Sequence, residues 1–364
     1  MTKKRKIFWW LAAALALAVV AFAVYWLRPR KPAFAFDPAE HRYAAVNVVA
    51  SYIAMLEKPD AKTALMSDKG SELLRPYFEH AGIECSAPDT KGEFDIVVVT
   101  ASAPRDWKSL LAAAGSDGAL MWLMDVRETT IAAFRGRIAA FPCPDAHFWM
   151  PGETDWVLSG RVKKSEVRLA DMLELFARDG AFMDLANASC DTLSDVFASF
   201  AGYRATVEPA FVGNLEAKVR PEFFVTQDVP DIPWIVSDEE VDEDIVAQNA
   251  RESRSKQIVR RTVIEGNMLS REGKIDAAIG KWAGAYLHNP HDTMLLDRIY
   301  RLAVNARTFQ KVGNIKAAAN CYDTMIGIRP TDAAAMSEYG ECMRLLGEKE
   351  LSEKAFQRAK ELAR

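Results

Sequence analysis

Three glycines, Gly273, Gly313 and Gly347, set the frame for the last third of the chain. Placing them in register also aligns Ala278 with Ala318 and Ser352, and Trp282 with Tyr322 and Phe356, at offsets of 40 residues (273 to 313) and 34 residues (313 to 347). A repeat of that length is one helix, turn and helix, which cannot bury its apolar face alone and must stack on its neighbours. The glycine belongs at the tight turn, the small residue lets the paired helices approach, and the aromatic fills the space between them. Pro290 and Pro330 end the second helices. The longer first offset predicts an elongated first helix and turn in the middle unit. Residues 258–364 are thus expected to be helical repeats.

The 364 residues, 50% apolar and 26% charged, allow about two domains and an appendage. A helical pattern from Pro38 to Leu56 ends at Lys58-Pro59-Asp60. After it, apolar strands alternate with helices: "KTALMS", "SELLRPYFEHAG", "IECSA", "FDIVVV", "RDWKSLLAAA", "GALMWLMD" and "TTIAAFRGRIAAF". Such alternation makes a small, doubly wound, mostly parallel sheet covered on both faces. "DAHFWMPGETDWVLSGR" reads as an antiparallel hairpin at the sheet edge, turning at Pro151-Gly152. The fold class is therefore α/β plus all-α, with the sheet in residues 38–235.

Ligands of doubly wound sheets bind at the carboxyl ends of strands, which singles out "SDKGSE" (67–72) and "TASAPRD" (100–106). Asp68, Gly70, Thr100 and Ser102 would form a residual nucleoside pocket, with Asp68 on a ribose. The competing reading is that Asp68 caps the following helix. No His or Lys lies nearby in sequence to activate either hydroxyl, so no catalytic residue is assigned. Trp107, Trp122, Trp149 and Trp156 read as packing residues rather than base-stacking platforms.

Residues 7–27 run 21 positions without a charge, long enough to span a bilayer, with Trp9, Trp10, Tyr25 and Trp26 near the ends. The region 1–31 is expected to be a single-pass membrane anchor; a cleaved signal peptide, with Ala21-Phe22-Ala23 as its cleavage box, is the competing reading. Lys3, Lys4, Arg5 and Lys6 outnumber Arg28, Arg30 and Lys31, which tilts the bulk of the chain to the extracytoplasmic side. Residues 236–257 read as an acidic linker and helix start, because Asp238 to Asp244 are acidic except Val241. A net charge of -4 argues against nucleic acid as a partner. Five widely spaced cysteines signal neither a disulfide framework nor a metal site, and no cofactor is assigned.

The hairpin "H-F-W-x-P-G-x-x-D-W-V-L-S-G" and the strand order before it resemble the C-terminal half of spermidine-synthase-like proteins, over roughly residues 60–226. Leu215, Arg220 and Pro221 match the family's closing motif, while Glu216 to Val219 do not. The resemblance implies aspartates at two positions that here are Thr100 and Ala103. Losing both removes the Coulombic hold on a polyamine, which points to a pseudoenzyme. Residues 258–364 resemble the tetratricopeptide family. That resemblance places Arg260, Asn267, Arg307, Gln310, Glu341 and Arg344 on the inner face, a mildly basic groove suited to an acidic peptide or a chain carboxylate. An apolar flank is expected beyond the third repeat, to pack on the sheet, a second copy or another protein. The resulting expectation is a membrane-anchored, non-catalytic scaffold that binds a protein partner; the alternative is a nucleoside- or S-adenosylmethionine-binding enzyme or sensor.

Overall fold

The computed structural model describes residues 38–101, 106–143, 145–163, 168–188, 190, 192–207, 214–221, 230, 232 and 241–363. The anchor expected at 7–27, together with Ser102 and Ala103, lies outside them. No helix among the described residues is long and apolar enough to cross a membrane.

The sheet is built where the apolar runs fall. Strands β1 (Thr63–Met66), β2 (Glu84–Ser86), β3 (Ile96–Val99) and β4 (Ala119–Asp125) are parallel, and β5 (His147–Trp149), β6 (Asp155–Arg161) and β7 (Phe200–Tyr203) join them antiparallel. The order is β2-β1-β3-β4-β6-β5-β7. The antiparallel hairpin forms as expected, but not at the edge: β7 pairs with β5 and covers it. Its sequence, Phe200-Ala201-Gly202-Tyr203, is too short and too weakly alternating to stand out from the helices around it.

Both sheet faces are buried, which is why β3 reads as an unbroken apolar run. Val97 and Val99 face one core with Trp122, Phe134, Phe148 and Trp156. Ile96 and Val98 face the other with Phe78, Met121, Trp149 and Val157. The four tryptophans singled out above are packing residues: Trp122, Trp149 and Trp156 are buried, and the half-buried Trp107 stacks edge-on against Trp122 at 5.2 Å. Helix α1 (Pro38–Glu57) is buried all round from Val46 to Glu57 because it lies between the sheet and the helical repeats.

Short helices α2 (Arg75–His80), α3 (Trp107–Ala114), α4 (Ile131–Ala140), α5 (Leu169–Ala177), α6 (Asp179–Asn187), α7 (Leu193–Phe197) and α8 (Arg204–Val207) complete the first part. Six further helices then run in three pairs: α9 (Glu243–Arg271) with α10 (Ile275–His288), α11 (Thr293–Lys311) with α12 (Ile315–Ile328), and α13 (Ala333–Leu346) with α14 (Lys349–Leu362). The middle pair has the elongated first helix that the unequal offsets required, 19 residues against 14 in α13. Trp282 and Tyr322 are buried between their pairs, while Phe356 of the third pair is 36% exposed. A further column was not read from the sequence: Gly266, Ala306 and Gly340 share one register on the first helices. A Cβ on Gly266 would lie 2.5 Å from Nε1 of Trp282, so the aromatic needs a small residue opposite it.

Helix α9 runs unbroken from Glu243 through position 257/258 to Arg271; Asp242 caps its start by accepting from the Asp244 amide at 2.8 Å. Helix α14 buries Ser352, Ala355 and Ala359 and exposes Glu353, Lys354, Gln357 and Lys360, but the apolar Leu351 and Phe356 on the same helix, and Leu345 and Leu346 at the end of α13, are exposed as well.

Gly313 closes the α11–α12 turn at φ 78°, and a Cβ there would meet nothing within 4 Å. Gly313→Ala is therefore expected to cost about 1 kcal/mol through backbone strain alone, seen as a lower urea midpoint with an unchanged slope. An unaffected midpoint would contradict the left-handed turn.

Candidate functional site

The parallel strand ends do bring Asp68, Gly70 and Thr100 together. Asp68 accepts from the Thr100 amide at 2.8 Å, the Thr100 hydroxyl at 2.5 Å, the Ala101 amide at 3.1 Å and the Ser71 amide at 3.0 Å. With a longer bond from the Ser67 hydroxyl at 3.4 Å, these satisfy the carboxylate from within the fold. Burial works to raise its pKa, but the bonds from Thr100, Ser71 and Ala101 outweigh that and hold the group below the usual carboxylate range. Gly70 has a local reason to be glycine, since a Cβ there would sit 2.1 Å from the Thr100 hydroxyl oxygen. The loop is closed on itself: Asp68 accepts from the Ser71 amide at the start of the 3-10 turn Ser71–Leu73, whose N-cap position is Gly70 and not Asp68. The fourth member of that set, Ser102, lies outside the described residues.

The inner face of the repeats divides in two. Arg260 and Asn267, expected to face a partner, are buried at 3% and 2% exposure. Arg260 donates to Asp292 at 2.9 Å, to the Met150 carbonyl at 2.6 Å and to the Thr293 hydroxyl at 2.7 Å, and Thr293 donates onward to the Pro151 carbonyl at 2.6 Å. Asp292 also caps α11 through the Leu295 amide. Asn267 accepts from the Trp282 indole at 3.1 Å. The β5–β6 loop thus lies against the first two pairs, and Arg271 adds an ion pair to Glu153 at 3.2 Å and Arg301 a bond to Thr154 at 3.2 Å. Neither Arg260 nor Asn267 presents its polar group to solvent.

The other four predicted residues remain accessible. Arg307 and Arg344 are exposed, with Gln310 and Glu341 half-exposed. Arg344 forms a bidentate pair with Glu341, and Gln310 accepts from the Tyr322 hydroxyl at 3.1 Å and donates to Glu338 at 3.3 Å. The open half of the face therefore has its charges largely balanced.

Sequence reading missed a buried polar group that joins α1 to the hairpin. The Glu57 carboxylate, 1% exposed, accepts from the Ser159 hydroxyl at 2.6 Å and faces His147 Nδ1 at 2.6 Å, while the Trp149 indole donates to Ser159 at 2.9 Å. The hydroxyl meets the carboxylate rather than the imidazole, and Ser159 is fully buried, so the trio fastens the core and does not supply an activated nucleophile. Its residues lie 90 and 102 positions apart, which no local pattern reveals. Burial pushes the Cys85 and Cys143 thiols up to about 12, so neither offers a thiolate at neutral pH. Among the described residues no cluster of His, Cys, Asp and Glu is arranged to hold a metal. No family model matches the chain, and no curated protein matches its sequence.

Arg260→Met is expected to leave Asp292 buried without its cation and to cost about 3–5 kcal/mol, measured by urea denaturation followed at the tryptophans. A loss under about 1 kcal/mol, typical of a surface pair, would mean that the junction is not fastened there. For Asp68 the folded carboxyl titrates below its unfolded value, so the ion's contribution is present above about pH 4 and is lost as pH falls further. Asp68→Asn should therefore unfold at a lower temperature than the parent near pH 7, with the gap narrowing as pH drops below about 4. A gap independent of pH would show that the charge of Asp68 contributes nothing.

Proposed function

We propose that this chain is a non-catalytic scaffold or assembly protein, held at a membrane by residues 7–27, that binds a protein partner through its helical repeats. The repeats resemble the tetratricopeptide family and the sheet resembles a spermidine-synthase-like domain that has lost its chemistry. The observation that carries this reading is the contrast between the two ends of the molecule. The strand-end loop spends the Asp68 carboxylate on Thr100, Ala101 and Ser71. The second half of the repeat face keeps Arg307 and Arg344 in solvent.

A closed carboxylate gives a ribose little to bond, and among the described residues of the site no histidine or lysine is hydrogen-bonded to the Thr100 hydroxyl. A helical-repeat face that exposes cations beside half-exposed amide and carboxyl groups suits an extended acidic segment. Its affinity is expected to be modest, because the Glu341–Arg344 pair already neutralises one of the two arginines.

The experiment has two arms on the full chain. Calorimetric titration with S-adenosylmethionine, its decarboxylated form and methylthioadenosine is expected to give no saturable heat; saturable binding abolished by Asp68→Ala would overturn the scaffold reading in favour of an enzyme or sensor. In the second arm, Arg307→Glu with Arg344→Glu is expected to abolish binding of a protein that co-purifies stoichiometrically with the parent, with thermal unfolding unchanged to within about 0.5 kcal/mol. Retention of that protein by the double variant would place the partner elsewhere.

A further inference from the structure

Helices α9 and α10 frame a groove of about 490 Å3, lined by Ile258, Val259 and Thr262 of α9 and by Gly280, Gly284 and His288 of α10. Two of these residues are glycines in the interior of a helix, where only proline is less favourable. Neither has a reason within the chain, because a Cβ on Gly280 or Gly284 would meet nothing within 4 Å. Gly266 and Gly327 differ: there a Cβ would lie 2.5 Å from Nε1 of Trp282 and 2.7 Å from Cγ2 of Ile279. The groove is also apolar at its edges. Ile258 is 51% exposed, and Leu287, at 83%, is the most exposed large hydrophobic side chain among the described residues.

Gly280, Gly284 and Leu287 share one face of α10 with Asp276, Ala277 and His288, since steps of three, four and seven residues return to the same side of a helix. All but the half-exposed Gly284 are exposed. The order of residues along this face is its own complement when reversed. Positions 276 and 288, 277 and 287, and 280 and 284 are each equidistant from position 282. A second α10 laid antiparallel about a two-fold axis beside that position sets Leu287 of each copy next to the small Ala277 of the other. It brings Gly280 next to Gly284 at the centre, where the absence of side chains lets the two backbones approach. It also sets the acidic Asp276 of one copy level with the basic His288 of the other, and opposes the two helix dipoles. Parallel packing would instead set Leu287 against Leu287 and Asp276 against Asp276.

We infer that this face of α10 is the contact of a homodimer, in which two copies pack antiparallel through Gly280 and Gly284 with Leu287 at either end. A single helix pair is a small interface, under about 1,200 Å2, so the dimer is weak and reversible. The face excludes Arg307 and Arg344, which makes the inference independent of whether the repeats bind a protein partner.

The test uses the full chain in a nonionic detergent. Sedimentation equilibrium should show a reversible monomer–dimer equilibrium. Gly284→Leu places a side chain at the centre of the contact and should weaken the dimer at least about tenfold. Thermal unfolding of that variant at monomeric concentration should not fall, because the position has open space above it and leucine favours a helix. In a second variant, Ala277→Cys is combined with Leu287→Cys. These positions lie about 15 Å apart on their own helix, too far to bond to each other, so oxidation should give an interchain disulfide that neither single variant gives. The disulfide decides the matter if Gly284→Leu does not fold. A chain that stays monomeric would leave the groove to another occupant and overturn the proposal. A dimer indifferent to Gly284→Leu, no disulfide in the double variant, or crosslinking by Leu287→Cys alone, which marks parallel packing, would each overturn it as well.

Discussion

The architecture depends on one buried cation. Arg260 extends from α9 and spends its guanidinium on Asp292, on the Met150 carbonyl and on Thr293, which itself reaches the Pro151 carbonyl. A charge at 4% side-chain exposure is tolerable only when paired and fully bonded. Satisfying it forces the turn of the hairpin, the cap of α11 and the middle of α9 into one place. The same carboxylate that pairs Arg260 also caps α11, so the start of the second helix pair and the docking of the sheet are set by one aspartate. Pro38–Arg364 accordingly form one compact unit rather than a sheet domain tethered to a free helical arm.

That arrangement changes how the repeats can work. A stack of helix pairs ordinarily offers its whole inner face to a ligand. Here the sheet loop, with Glu153 and Thr154, occupies the part formed by the first two pairs, and α1 packs beside it against α11. The part of the face around Arg307 and Arg344 stays exposed. The sheet contributes a wall to the repeats through its β5–β6 loop, while at its strand ends the Asp68 carboxylate is bonded within the fold.

Much of the fold was legible in the residues themselves. The unequal offsets between Gly273, Gly313 and Gly347 announced three helix pairs with a long central helix, and all three glycines do take positive φ. The buried runs "IVVV" and "ALMWLMD" announced parallel strands covered on both faces. What misled was position without context. Arg260 and Asn267 fall at inner-face register, and register alone cannot tell a solvent-facing residue from one covered by another part of the chain. The edge strand β7 was missed because four residues give too little pattern. A bond from Asp68 to the turn that follows it was visible in sequence, but the bonds from Thr100 and Ala101 come from 32 and 33 residues away.

The sequence by itself determined the local periods: helix or strand, the turn glycines, the small and aromatic columns, and the start of α9 at an aspartate. These follow from backbone sterics and from apolar spacing within a few turns, which need no knowledge of the rest of the molecule. The tertiary structure alone decided which polar groups are free to act. Arg260, Asn267 and Glu57 owe their surroundings to segments distant in the chain, and burial and pairing are properties of that assembly rather than of any one stretch.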